Sequence, residues 1–128
     1  MKVVCINDRL TKEQKKILEI AEENDFKYPF EMGRTYTVLG ISNRAGSDAT
    51  TMLEMPYFYA FPAPLCLFDV IDDRPSSYWK IQKCSDYEIS LWPEEFYQEY
   101  FHDDLSDGVP EVVEIYKRVV EKLEKEFD

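Results

Sequence analysis

The stretch Gly33-Arg34-Thr35-Tyr36-Thr37-Val38-Leu39-Gly40-Ile41 decides how this chain is read. Tyr36 and Val38 alternate with Thr35 and Thr37, and β-branched and aromatic residues at period two suit a pleated, half-buried surface. The segment reads as a strand opened by a glycine. Toward the N-terminus, residues 2–6 are short and β-branched and read as another strand. Thr11 supplies an N-cap for a helix over about residues 11–24, with Ile17, Leu18, Ile20 and Ala21 as its apolar face. Asn24, Asp25 and the region of Pro29 end it.

Toward the C-terminus, residues 43–48 carry turn chemistry. Residues 50–59 resume β character, weakened in the middle by Pro56, and Pro62 and Pro64 punctuate the chain beyond them. Residues 65–71 are a near-continuous apolar run with the length of a buried strand. After a turn at Asp72-Asp73-Arg74-Pro75, residues 78–84 alternate and read as its hairpin partner. Residues 89–92 make a last short strand, and Pro93 opens a single helical turn. Asp107-Gly108 is a turn, and Pro110 begins a helix over about 110–127. Val112, Val113, Tyr116, Val119, Val120, Leu123 and Phe127 form its apolar stripe, and Glu114/Arg118 and Glu121/Lys125 are favourable i,i+4 pairs.

With 128 residues, the chain has the size of one domain. An apolar fraction of 45% with 15% aromatics supports a core despite the charge. The net charge is −11. That argues against a nucleic-acid backbone as partner, because phosphate contacts need a positive surface. One histidine leaves no zinc site built on two or more. No apolar run reaches the length of a signal-peptide core or a membrane span, so neither membrane nor secretion is indicated. Cys5, Cys66 and Cys84 are odd in number, lack CxxC spacing and lie in or beside apolar runs. They read as buried free thiols of a cytoplasmic protein.

The charge is uneven. The first forty residues hold seven bases and seven acids. The whole excess lies beyond them, and no Lys or Arg occurs between Lys83 and Lys117. That window contains ten acids: Asp86, Glu88, Glu94, Glu95, Glu99, Asp103, Asp104, Asp107, Glu111 and Glu114. It also holds Tyr87, Trp92, Phe96, Tyr97, Tyr100, Phe101 and Tyr116. Such a stretch is either a solvated acidic surface that aids solubility or a contact face for a basic protein. In the second case clustered carboxylates steer association and tyrosines anchor it.

The combination of Val3-Val4-Cys5-Ile6, Gly33-Arg34-Thr35-Tyr36-Thr37-Val38, Tyr78-Trp79 and Leu91-Trp92-Pro93-x-x-Phe96 resembles small bacterial and phage-encoded SH3-like barrels. The resemblance covers residues 2–6 and 33–96. It implies an α+β chain: a small antiparallel SH3-like β-barrel over about residues 2–96, with one inserted helix and a C-terminal amphipathic helix, in a single domain spanning 1–128. Such domains are binding modules. In those that bind proline-rich peptides, exposed aromatics combine with acidic residues, so Trp79 and Trp92 are either core rings or groove rings.

Other chemistries are weaker in the residues. His102-Asp103-Asp104 reads as metal ligands, as an oriented base of a small hydrolase or metal-dependent enzyme, or as a surface turn. Asp103-x-Leu105-x-Asp107-Gly108-x-x-Glu111-x-x-Glu114 partly follows a calcium loop, but Leu105 offers no oxygen at its third position. Carboxylates there equally suit a helix N-terminus. A cysteine nucleophile would need His102 as base, and four glycines leave no phosphate loop. The expectation is therefore a non-enzymatic cytoplasmic protein without cofactor. It would bind a basic protein through Asp86, Glu88, Glu94, Glu95, Tyr97, Glu99, Tyr100, Asp103, Asp104 and Asp107, as a toxin-neutralising immunity protein does. A phage accessory or assembly protein is the remaining alternative, and the oligomeric state is open.

Overall fold

In the computed structural model the run from Thr35 to Arg44 passes through two sheets. The structure describes residues 1–44 and 50–128; of the turn expected over residues 43–48, Asn43 and Arg44 belong instead to a strand and the remainder lies outside the described residues. Its strands are β1 (Lys2–Cys5), β2 (Thr35–Thr37), β3 (Gly40–Arg44), β4 (Thr50–Pro56), β5 (Ala60–Pro64), β6 (Phe68–Asp72), β7 (Trp79–Lys83) and β8 (Ile89–Pro93). The helices are α1 (Lys12–Ile17), α2 (Phe101–Ser106) and α3 (Pro110–Lys125), with 3-10 turns at Leu65–Leu67 and Glu94–Tyr97.

The strands form two antiparallel sheets, ordered β2-β1-β6 and β5-β4-β3-β8-β7. β2 pairs with β1, while β3 lies between β4 and β8. Between them the Val38 amide donates to the Met1 carbonyl and the Leu39 amide to the Glu54 carbonyl. One extended run therefore stitches the sheets together. The core gathers where they meet, around Val3, Val38, Leu39, Leu53, Met55, Leu67 and Phe96.

This overturns the expected SH3-like barrel: the two sheets do not close into one. The error lies in the hairpin expected between residues 65–71 and 78–84. β6 returns instead to β1, and β7 pairs with β8, so β6 and β7 are edges of different sheets. Residues 65–71 are not a buried strand either. Leu65–Leu67 turns, only Phe68 of β6 is buried, and Asp69, Val70 and Ile71 are exposed. Pro62 lies within β5, which an edge strand tolerates, and Pro64 is its last residue.

The inserted helix is also shorter than residues 11–24. Thr11 and Gln14 form the reciprocal capping box that starts α1. The helix stops after six residues because Glu19 takes a left-handed φ of 56°. The amides of Ile20 and Glu19 then close on the carbonyls of Lys15 and Lys16, a Schellman ending. No residue of α1 is buried, so no apolar face docks to prolong it.

The C-terminal helix docks through Tyr116, Val119 and Leu123. Two polar contacts fix it further. The Tyr116 hydroxyl reaches the β4–β5 turn, where it lies 3.2 Å from the Tyr57 amide and 3.0 Å from the Tyr59 carbonyl. Beyond the helix end, Glu126 accepts from the Ser76 hydroxyl, the Ser77 amide and the Ser77 hydroxyl, each at 2.7 Å.

Partial burial opposes the Glu126 charge, but the serine donors outweigh it and hold the carboxyl below its ordinary value. The contribution of a depressed acid is present above its unfolded pKa and is lost as pH falls through the folded value. Glu126→Gln is expected to lower stability by about 1–2 kcal/mol at neutral pH. It should also flatten the loss of stability on acidification below about pH 4, the range of an ordinary glutamate. Urea unfolding of both proteins between neutral and acid pH checks this, and parallel pH curves would contradict it.

Candidate functional site

The acidic window folds as the β7–β8 hairpin turn, β8, the second 3-10 turn, α2 and the first turns of α3. Pro93 directs the chain out of β8 into the 3-10 turn, whose Phe96 is fully buried. Tyr100 then adopts φ 62° and ψ 14° and turns the chain into α2. Phe101 stacks on Phe96 with ring centroids 5.0 Å apart, seating α2 on the core. The helix ends at Gly108, with φ 74°. There the Val109 and Gly108 amides close on the carbonyls of Asp104 and Leu105 in a second Schellman motif.

This path leaves a groove of about 490 Å³ between the end of β7 and α2. Trp92, Tyr97, Glu99, Tyr100, His102 and Asp103 are among its walls. Trp92 stacks on Tyr97 at 5.1 Å and meets His102 at 4.8 Å. The Tyr97 hydroxyl lies 2.8 Å from the Lys80 carbonyl and 2.9 Å from the Ser90 hydroxyl, so Tyr97 ties the 3-10 turn to β7 and β8. Trp79 is a core ring, its indole N–H donating to the Leu39 carbonyl at 2.9 Å. Trp92 is half-buried on the groove.

The ten proposed contact residues are only partly brought together. Tyr97, Glu99, Tyr100 and Asp103 line the groove, though Tyr97 is occupied in support. Asp86 pairs with Lys83 at 3.3 Å, and Glu88 accepts from the Ser85 hydroxyl at 3.0 Å. Glu95 pairs with Lys122 at 3.2 Å and so helps fasten α3. Glu94 lies on the 3-10 turn, Asp104 in α2 and Asp107 at its C-cap, and none of them lines the groove.

Pairing divides the acids in both regions: within the window Asp86, Glu95 and Glu114 have basic partners, and outside it Glu13, Glu23, Asp69 and Asp73 have no ion pair among the described residues. Among the described residues, the carboxylates of Glu94, Glu99, Asp103, Asp104, Asp107 and Glu111 make no ion pair or side-chain hydrogen bond. Elsewhere Asp8, Glu22, Asp25, Glu31, Asp72 and Glu121 each have a basic partner.

His102 is a packing residue. Its ring contacts Trp92, Phe96 and Phe101, and among the described residues its buried Nε2 has no hydrogen-bond partner. Burial lowers its pKa, against the opposing charge of Asp103, so the imidazole is held toward its neutral form. Among the described residues no group of three His, Cys, Asp or Glu could hold a metal ion. The calcium-loop pattern is helical rather than a loop: Asp103 lies in α2, Leu105 is buried, and Glu111 and Glu114 lie in α3.

The cysteines are free, as expected, but only Cys5 is buried; Cys66 is intermediate and Cys84 exposed. Burial raises the thiol pKa of Cys5 and of Cys66, which disfavours nucleophilic thiolates. Among the described residues no helix is long and apolar enough to cross a membrane.

Sequence reasoning missed two features here. Tyr100, 65% exposed, carries a left-handed backbone that no local residue type signals. The β4–β5 turn displays Phe58, 82% exposed, beside Tyr57 and Tyr59, and the three successive aromatics after Pro56 were its available signal.

Comparison with family models, curated proteins and solved structures gives no match to this chain. The functional reading therefore rests on the site itself.

Proposed function

We propose that this chain is a non-enzymatic binding module that captures a basic protein through the 3-10 turn, α2 and the start of α3. The observation that carries this reading is the set of carboxylates without an ion pair on those elements, in a stretch that holds no Lys or Arg between Lys83 and Lys117. Unmatched charge at a surface raises the local concentration of an oppositely charged partner and speeds encounter. Exposed tyrosine beside it supplies anchoring area. Occlusion of a basic toxin by an immunity protein is one relation of this kind. The free cysteines fit a reducing, cytoplasmic setting.

Hexalysine is a sufficient probe of the electrostatic part. A variant carrying Glu94→Lys, Asp103→Lys and Asp104→Lys is expected to bind it about tenfold or more weakly at low salt, with a flatter salt dependence. Reversal of Glu13 and Glu23, in the neutral first forty residues, should change little. Equal losses from both variants would refute the reading, as would no loss from the first.

A further inference from the structure

We propose that two copies of this chain associate edge to edge, with β6 of one pairing antiparallel to β7 of the other. The inference goes beyond the basic-partner reading and does not depend on it.

Among the described residues the two sheets have four edge strands: β2 and β6 on one, β5 and β7 on the other. An edge presents unpaired N–H and C=O groups to any strand that lies beside it, and natural chains blunt such edges with proline, charge or short length. β2 has only three residues, and β5 carries Pro62 and Pro64. β6 and β7 have five residues each and no proline. They are also bare. Asp69, Val70 and Ile71 are exposed in succession, as are residues 80–83, and Ile81 is 73% exposed. Successive strand residues point to opposite faces, so both faces of each edge lack cover.

Charge decides which edge meets which. β6 carries Asp69 and Asp72, and β7 carries Lys80 and Lys83. Two β6 strands centred on one another set Asp69 against Asp72, and two β7 strands set Lys80 against Lys83. Like charges directly opposite destabilise a pair, and opposite charges stabilise it. Antiparallel β6 against β7 places Asp69 beside Lys83, Ile71 beside Ile81 and Asp72 beside Lys80. Each charge then meets its opposite, and two exposed isoleucines cover one another. Asp69 and Lys80 have no ion pair among the described residues. Lys83 pairs with Asp86 at 3.3 Å, but both are largely exposed, and such a pair contributes little. Asp72 bonds Arg74 within its own chain, and a carboxylate accepts from more than one donor. Because the joined edges are different surfaces, the contact is head to tail and repeats from copy to copy.

Sedimentation equilibrium of the full chain over a range of concentrations reads the association. The mean mass of the wild type is expected to rise above the monomer with concentration. Asp69→Lys and Lys83→Glu, each alone, set like charges opposite one another and should weaken association by about fivefold. Both substitutions in one chain oppose the charges again and should restore it, a recovery that a misfolded variant would not give. Asp69→Lys with Lys80→Glu, which are not opposite in this register, should not restore it. A monomer at every concentration overturns the proposal. So does association that Asp69→Lys or Lys83→Glu leaves intact, since one edge would then be pairing with itself. Failure of the first double variant to recover, or equal recovery by the second, overturns it as well. Each of these results leaves the basic-partner reading in place.

Discussion

Gly40→Ala is expected to lower the unfolding free energy by about 3 kcal/mol, read from urea or thermal unfolding. A Cβ at this position would stand 2.7 Å from Trp92 Cδ1 and 2.9 Å from the Leu91 carbonyl oxygen. Neither obstacle is the free end of a flexible side chain. The indole is wedged between Tyr97 and His102, and the carbonyl belongs to the backbone of β8. Relief therefore requires β8 to move away from β3, which loosens the pairing of Ile41 with Leu91 and of Ser42 with Ser90. Because Trp92 lines the groove, its indole N–H resonance should shift as well. Gly33→Ala serves as the comparison: φ is 83°, but no atom lies within 4 Å of the added carbon. It should cost only backbone strain, about 1 kcal/mol. If both alanines cost the same, close approach is not what Gly40 provides.

Tyr116→Phe is expected to cost about 2 kcal/mol. The ring stays and fills its space, so no cavity is made. What disappears is the hydroxyl that accepts from the Tyr57 amide at 3.2 Å and donates at the turn, with the Tyr59 carbonyl at 3.0 Å. Burial pushes the Tyr116 pKa up to about 12, so the hydroxyl keeps its proton through the neutral range. Amide exchange at Tyr57 should quicken more than exchange at Leu53, which lies within β4. Uniform acceleration would show that the clamp does not act locally.

Local signals in the sequence located several elements correctly. Alternation marked β character over residues 33–41, although the one strand expected there divides into β2 and β3 of different sheets; Thr11 marked the start of α1, and the 3.6-residue stripe marked α3 and the side it buries. Pairing was not legible in the same way. Residues 65–71 and 78–84 look like a hairpin because they are adjacent and apolar. Nothing local reveals that Val3 faces Val70 or that Ile81 faces Leu91. At the candidate site, composition marks the acidic stretch but not its division. Only the fold shows that Glu95 is spent on Lys122 and Tyr97 on Lys80 while Glu99 and Asp103 stay free. The strain at Tyr100 was equally hidden, since tyrosine is not a residue type that announces a left-handed turn.

The place of β1 at the centre of its sheet carries a consequence for the order of events during synthesis. Val3 is fully buried and pairs with Tyr36 on one side and Val70 on the other. β1 is therefore completed only after β6, far along the chain from it, has been made. Until Phe68–Asp72 is available, β1 presents an open apolar ribbon to its surroundings. Distant partners of this kind place folding in the millisecond-to-second range rather than among the microsecond folders. They also leave the apolar side chains and open edges of β1 prone to aggregation until those partners arrive.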